Sequence, residues 1–301
     1  MITPVLIMDK FPDFKEPGFN IDRYNQRFYN SNVVIRASAN NVEYGEHWGP
    51  LSVKCAFNGE EHYRANDSHY AVDDHHFLVF NRGKTYSSWI ESPRHVNSLT
   101  LNIAPHFEQT AVRSIMLRAD QLLDDPVDHN TKAFRFTERL YKHNGIVSPV
   151  VKSIADRSNE YRIDELFYQL MEGLLQLQAN TNAEIERVDK MKASTRVEIF
   201  ERLLRARDFI HSSYRDNISL DDIAEVACMN KFYFLRQFRK VFKITPHQYL
   251  TERRMQVASS LLTTTDIPVT DVCCEVGFSD LSSFGKLYRR HYGVAPSDLR
   301  M

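Results

Sequence analysis

The chain contains one pattern twice, first as Ser219-Leu-Asp-Asp-Ile-Ala-Glu-Val-Ala-Cys-Met-Asn230 followed by Lys231-Phe-Tyr-Phe-Leu-Arg-Gln-Phe-Arg-Lys-Val-Phe242. The second copy is Pro268-Val-Thr-Asp-Val-Cys-Cys-Glu-Val-Gly-Phe-Ser279 followed by Asp280-Leu-Ser-Ser-Phe-Gly-Lys-Leu-Tyr-Arg-Arg-His-Tyr292. A period of about fifty residues indicates a structural unit that is used twice. The aligned apolar pairs are Leu220 and Val269, Ile223 and Val272, Ala227 and Val276, Phe234 and Phe284, Phe238 and Tyr288, and Phe242 and Tyr292.

Each copy predicts a short helix, a turn and a longer helix, because apolar residues recur at helical spacing on both sides of the turn. A small residue, Ala224 or Cys273, stands where the second helix must approach the first. This arrangement is a helix-turn-helix, whose second helix enters the major groove of DNA. For either copy alone, an alternative is a Phe-rich helical bundle with its basic face in solvent. The matching offsets of the two copies argue against that alternative.

Residues 195–301 resemble the double helix-turn-helix domain of the AraC/XylS family of transcription regulators. The resemblance rests on both copies and their spacing, on Gly277-Phe278-Ser279, and on Gly293-Val294-Ala295-Pro296. A helix predicted from about Arg253 to Leu262 stands where the family joins its two reading units. The chain departs from the family pattern at Cys228, where the first turn usually has Gly, at Cys273, usually Ala, and at Leu235, which is often polar.

The resemblance implies a sequence-specific regulator that binds double-stranded DNA, activates transcription, forms a homodimer and contacts RNA polymerase. The longer helices would enter successive major-groove segments about one helical turn apart. By resemblance, the residues facing base edges are Phe232, Tyr233, Leu235 and Arg236 in the first copy, and Leu281, Ser282, Ser283 and Lys286 in the second. The residues that the resemblance assigns to phosphates are Arg239, Lys240, Arg289 and Arg290.

Length and composition indicate an ordinary soluble protein with about two domains. The 301 residues are 43% hydrophobic and 26% charged. No apolar run approaches the roughly 20 residues that cross a bilayer, and the first ten residues lack the features of a signal peptide. A cytoplasmic protein without a membrane partner is therefore expected. Four cysteines fit neither a disulfide framework nor a zinc site and are expected to be buried: Cys55, Cys228, Cys273 and Cys274.

The net charge of -1 conceals an asymmetry along the chain. Residues 195–301 hold 16 lysines and arginines against 13 aspartates and glutamates, a net charge of +3. The remainder holds 22 against 26, a net charge of -4. The case for DNA therefore rests on where the cations lie, and non-specific DNA affinity is expected to be modest and sensitive to salt.

The first third of the chain has strand signals, which suggest a small β-barrel or jelly roll. Strands are predicted at Val33–Arg36, Leu51–Phe57, His76–Phe80, Thr85–Ile90 and Val96–Ile103. Helical periodicity follows at Thr110–Leu123, Phe136–Lys142, Pro149–Asp156 and Ile163–Leu177. The resemblance implies a cupin-like barrel for effector binding and dimerisation at residues 1–180, a linker at 181–194 and the DNA-binding domain at 195–301. The helices after the barrel either form the dimer contact or pack on their own barrel.

Aromatic and imidazole side chains on the predicted strands are candidates to bind a small-molecule effector, with core packing as the alternative. They are His47, Trp48, His62, Tyr86 and Trp89. Metal-binding cupins have an alternating His pair, whereas residue 49 here is Gly and the adjacent pair His75-His76 would point to opposite faces of a strand. No metal, cofactor or catalytic residue is expected. A metal-dependent cupin enzyme with an attached DNA-binding module, and a regulator without an effector, remain open alternatives.

Overall fold

A computed structural model describes residues 4–13, 16–27, 29–66, 68–116, 134–143, 145–189 and 192–300. The chain divides into two compact units, Met1–Ala183 and Glu184–Met301. The first unit combines a β-sheet with helices, and the second is helical. The predicted linker, residues 181–194, is helical as far as Ile185, and its residues 190 and 191 lie outside the described residues.

The described strands of the first unit form one eight-stranded sheet. They are β1 Val5–Met8, β2 Asn32–Trp48, β3 Leu51–Phe57, β4 Glu61–Ala65, β5 Ser68–Val72, β6 His76–Phe80, β7 Thr85–Ile103 and β8 Leu140–Lys142. The pairing order is β1-β2-β7-β3-β6-β8, and β4 joins both β7 and β5. Only β1 and β2 pair in parallel; the other described pairs are antiparallel.

The sheet has two differently covered faces because side chains alternate along each strand. Leu51, Val53 and Cys55 of β3 pack in a core with the helices of the unit. Ala56, on the opposite face of β3, packs in a second core with Tyr63 of β4. We call this second face the inner face of the sheet. The helices are α1 Ile21–Arg27, α2 Pro105–Met116, α3 Ser148–Ala155 and α4 Ile163–Ile185, with a 3-10 helix at Arg157–Arg162.

The structure corrects two expectations for the first unit and tests a third only in part. Among the described residues, the edge strands β8 and β1 do not pair with each other, so these strands do not close into the predicted barrel. β7 is instead shared, with its first half paired to β4 and its second half to β3. Residues 136–142 do not form the predicted helix. Instead, β8 pairs with β6, and its apolar residues Leu140 and Tyr141 are both buried. The predicted helix Thr110–Leu123 is described only as far as Met116, and the rest lies outside the described residues.

The second unit contains two clusters of buried apolar side chains joined by one helix. Its helices are α5 Ala193–Ser212, α6 Leu220–Val226, α7 Lys231–Phe242, α8 Pro246–Thr264, α9 Val269–Glu275 and α10 Leu281–Tyr292, then a 3-10 helix at Pro296–Arg300. Leu250 of α8 packs with Phe234 and Phe238 of α7. Met255 and Ala258 of the same helix pack with Phe284 of α10. The predicted joining helix is therefore confirmed, and it begins seven residues earlier than expected.

Two of the four cysteines are exposed, contrary to expectation. Cys55 and Cys273 are buried, whereas Cys228 and Cys274 face solvent. Cys228 lies in the turn after α6, where its φ of 50° places it in the left-handed region and turns its side chain away from the core. None of the described helices is long and apolar enough to cross a membrane.

Candidate nucleic-acid interface

The first helix-turn-helix is fixed by caps at both of its helices. Ser219 Oγ accepts from the backbone N–H of Asp222, and the Asp222 side chain accepts from the backbone N–H of Ser219, which together form a capping box. The Asn230 side chain accepts from the N–H of Phe232 at the start of α7. Arg202 Nη1 donates to the carbonyl of Cys228 across 3.1 Å, so α5 holds the turn between the helices.

Burial of one face of α7 defines the face that remains open. Phe234, Phe238 and Val241 are buried, which is the stripe expected of an amphipathic helix. Phe232, at the start of the helix, is 79% exposed and so lies on the open face. Of the residues assigned to DNA, Tyr233 and Leu235 are half-buried, and those that are exposed are Phe232, Arg236, Arg239 and Lys240.

The second longer helix, α10, has the same design. Asp280 caps it by accepting from the N–H groups of Ser282 and Ser283 at 3.2 and 2.7 Å. A hydrogen bond with the Ser283 side chain has the largest effect in lowering the pKa of the Asp280 carboxyl, and the two backbone hydrogen bonds lower it further. Phe284 and Tyr288 are buried. All six predicted DNA-facing residues of this helix are exposed: Leu281, Ser282, Ser283, Lys286, Arg289 and Arg290.

A carboxylate occupies part of the cationic face of α7, and the sequence did not predict it. Asp189 Oδ1 accepts from Lys240 Nζ at 2.5 Å, and Asp189 Oδ2 accepts from the Gln237 side chain. Arg236 Nη2 lies 3.8 Å from the same carboxylate. The hydrogen bond from Lys240 is the largest of the effects that lower the pKa of Asp189. Two predicted DNA contacts, Arg236 and Lys240, therefore already share an anion within the second unit.

In the first unit, the effector candidates separate into two places. His47, Trp48 and Tyr86 line one cavity, and the rings of His47 and Tyr86 are 4.5 Å apart. His62 and Trp89 do not line it. Their rings stack on each other at 5.3 Å, and the ring of His69 stacks on Trp89 at 5.2 Å. The strand register explains the separation, because His62 is opposite Trp89 on the face of β4 away from buried Tyr63.

Comparison with known proteins supports the two reading units. A helix-turn-helix domain family matches residues 223–301, from α6 through α10. The Escherichia coli K12 protein named uncharacterized HTH-type transcriptional regulator YdiP is 32% identical over 92 residues, 31% of this chain and 30% of that protein. The lactose operon transcription activator of Staphylococcus xylosus is 29% identical over 147 residues, 48% of this chain and 49% of that protein. The match thus spans less than half of either relative.

A shorter relative is matched over most of its length. Regulatory protein SoxS of Salmonella typhimurium is 31% identical over 83 residues, which are 28% of this chain and 78% of SoxS. The chain belongs to the AraC/XylS family of transcription regulators. As an AraC/XylS regulator it departs from the family's usual first-turn Gly at Cys228, and the structure shows that this residue adopts the left-handed backbone that Gly normally supplies.

Asp189→Asn is expected to raise the affinity of this AraC/XylS regulator for DNA about two- to fivefold, because exposed ion pairs of this kind contribute little each. The substitution keeps the hydrogen bond to Gln237 but releases the charge of Lys240 and Arg236 for phosphates. The salt dependence of binding should become steeper. Titration of labelled duplex at several salt concentrations measures both quantities.

Glu186→Gln is the matched control for that prediction. Glu186 belongs to the same stretch and pairs with Arg196 at 2.9 Å. This variant makes the same change in net charge but leaves α7 untouched, so it should bind DNA nearly as the wild type does. Equal gains for both variants would assign the effect to net charge alone and contradict the role given to Asp189.

Proposed function

We propose that the chain is a homodimeric activator of transcription that reads DNA with α7 and α10 and responds to a small effector, rather than an enzyme. The observation that carries the proposal is the pair of capped, amphipathic helices attached to the common helix α8, each with an exposed cationic face. Family membership supports sequence-specific DNA binding. The name of the lactose operon transcription activator supports activation.

On DNA, α7 and α10 enter successive major-groove segments about one helical turn apart. Exposed Arg236 and Lys286 have the reach and the donors to read base edges. Arg239, Lys240, Arg289 and Arg290, which follow in the last turns, bind phosphates and set the register. Tyr233 supports Arg236, whose guanidinium lies 5.3 Å from the centre of its ring.

The first unit carries the proposed effector response. Its cavity is lined by His47, Trp48 and Tyr86, and this cavity supports the proposed effector site. A ligand in that cavity changes DNA binding only through a difference in its affinity for two arrangements of the protein. The homodimer, the contact with RNA polymerase and the cytoplasmic location are proposed from the family resemblance.

Arg236→Ala should weaken binding to a cognate site by about 1–3 kcal/mol and relax the preference at one base position. Arg289→Ala should instead weaken binding to all sequences alike, because a phosphate contact carries no sequence information. Selection of bound fragments from genomic DNA supplies the cognate site. Binding titrations of each variant against that site and a scrambled duplex then measure both effects. Equal loss on both duplexes in both variants would refute base reading by Arg236.

A further inference from the structure

Part of the inner face of the sheet in the first unit is polar, where a buried sheet face normally carries apolar side chains. Ser52 and Lys54 of β3 lie opposite Asn102 and Thr100 of β7 in the ladder, and Glu61 of β4 lies near them. Ser52, Lys54, Thr100 and Glu61 are each more than nine-tenths buried. We call these residues the polar floor: Ser52, Lys54, Glu61, Thr100 and Asn102. Four of them, all except Ser52, line the cavity.

Lys54 is the charged centre of the polar floor. Its ammonium donates to Thr100 Oγ1 across a long 3.5 Å and lies 5.0 Å from the centre of the Tyr86 ring and 5.9 Å from that of Tyr63. An ammonium has three donors, and a buried one normally pairs with an anion. Within the described part of the chain, no carboxylate lies within salt-bridge distance of Lys54. The cavity therefore holds a buried cation whose hydrogen bonding is incomplete.

Three acceptor atoms near Lys54 also lack hydrogen bonds. Ser52 Oγ, Glu61 Oε2 and Asn102 Oδ1 are buried and have no hydrogen-bond partner among the described residues. Buried polar atoms are nearly always satisfied in folded proteins, by protein, ordered water or ligand. Two of these atoms, Glu61 Oε2 and Asn102 Oδ1, belong to residues that line the cavity beside the incompletely bonded ammonium, an arrangement suited to a polar molecule.

The titratable neighbours leave Lys54 as the positive charge of this cavity. Burial lowers the pKa of His47 to about 4, against the opposing effect of its hydrogen bond to the Gly45 carbonyl, so His47 is neutral near pH 7. Burial also raises the pKa of Glu61, an effect that Ser98, Tyr63 and Lys54 partly oppose. Burial likewise raises the pKa of Tyr44 on the cavity wall to about 12. Lys54, and not His47, is thus the group that attracts an incoming anion.

We propose that this cavity binds a small hydroxy carboxylic acid, whose carboxylate accepts from Lys54 and whose hydroxyl donates to Glu61 or Asn102. The inference rests on the proposed effector role of the first unit and names the chemical class of the effector. A cavity of about 60 Å³ is small beside the roughly 300–1,000 Å³ that drug-sized ligands occupy, so the acid has few non-hydrogen atoms. A neutral polyol would satisfy the acceptors but would leave the ammonium without an anion.

Calorimetric titration of the full chain tests the proposal with four acids, glycolate, lactate, glycerate and malate. The neutral comparison ligands are lactamide and glycerol. At least one acid should bind at millimolar concentration, more tightly than either neutral molecule. Lys54→Met should weaken that binding about tenfold or more, the usual effect of losing a charged hydrogen-bond donor. Lys152→Met, on the exposed face of α3, should leave it unchanged.

Melting temperatures without ligand show that a loss of binding in Lys54→Met is not a loss of folding. The variant should melt at or above the wild-type temperature, because removing a poorly paired buried charge relieves its desolvation. Failure of all four acids to bind, equal binding of the neutral molecules, or unchanged binding by Lys54→Met would each overturn the proposal.

Titration of the same samples with duplex DNA separates this proposal from the proposed function. If the wild type binds DNA but none of the acids, the ligand class is refuted and the proposed DNA-binding function is retained. Acid binding that depends on Lys54 supports the site even if DNA affinity does not change, and that result would refute only the effector role.

Discussion

Phe284→Ala is expected to lower the free energy of unfolding by about 3–5 kcal/mol, the usual cost of truncating a fully buried Phe. Phe284 is fully buried, and its ring contacts Phe278 and Tyr288 at centroid distances of 5.5 and 5.8 Å. Its cluster is separate from the cluster that holds Phe234. Hydrogen exchange should therefore show loss of protection in α9 and α10 while α6 and α7 remain protected.

Phe232→Ala is the matched control, because it makes the same substitution on an exposed side chain. It should change the free energy of unfolding by no more than about 0.5 kcal/mol. Phe234→Ala should produce the opposite exchange pattern to Phe284→Ala, with lost protection in α6 and α7. Equal loss of protection across both reading units in either core variant would show that they form a single cooperative core, contrary to the structure.

Gly277→Ala is expected to cost about 2–5 kcal/mol, from left-handed backbone strain together with overpacking. Gly277 has a φ of 81° in the turn between α9 and α10. An added Cβ would lie 2.6 Å from the Arg215 carbonyl oxygen and 3.0 Å from that of Tyr214, two backbone atoms that cannot move without the loop after α5. Chemical denaturation measures the loss.

Gly285→Ala provides the control for that prediction. Gly285 lies within α10, and an added Cβ there would meet nothing within 4 Å apart from its chain neighbours and the backbone of its own helix. Because Gly disfavours the middle of a helix, this variant should gain about 0.5–1 kcal/mol. Equal destabilisation by both substitutions would contradict the role given to the turn at Gly277.

The sequence predicted those elements whose signals are local. β3 and β6 have the predicted bounds, and the apolar periodicity of each repeat indicated the longer helices α7 and α10. The joining helix begins earlier than predicted because Thr245 and Gln248 form a capping box at its start. Local caps and apolar periodicity therefore account for most of the DNA-binding unit.

Features that depend on distant partners could not be predicted in this way. β4 was missed because its inward residues include Glu61, a charged residue that breaks the apolar alternation expected of a strand. The contact of Asp189 with Lys240 spans 51 positions and left no signal in either segment. The same limitation hid the polar floor, since Lys54 and Thr100 meet only through the register of β3 with β7.

The measurement that tests the central claim most directly is methylation protection of a selected DNA fragment bound by the full chain at low ionic strength. Guanine N7 lies in the major groove, so a helix placed there shields it. Two groups of protected guanines, about 10 base pairs apart on one face of the duplex, are expected. Arg236→Ala should weaken protection in only one group. A single protected group, or none, would contradict the placement of both α7 and α10 in the major groove.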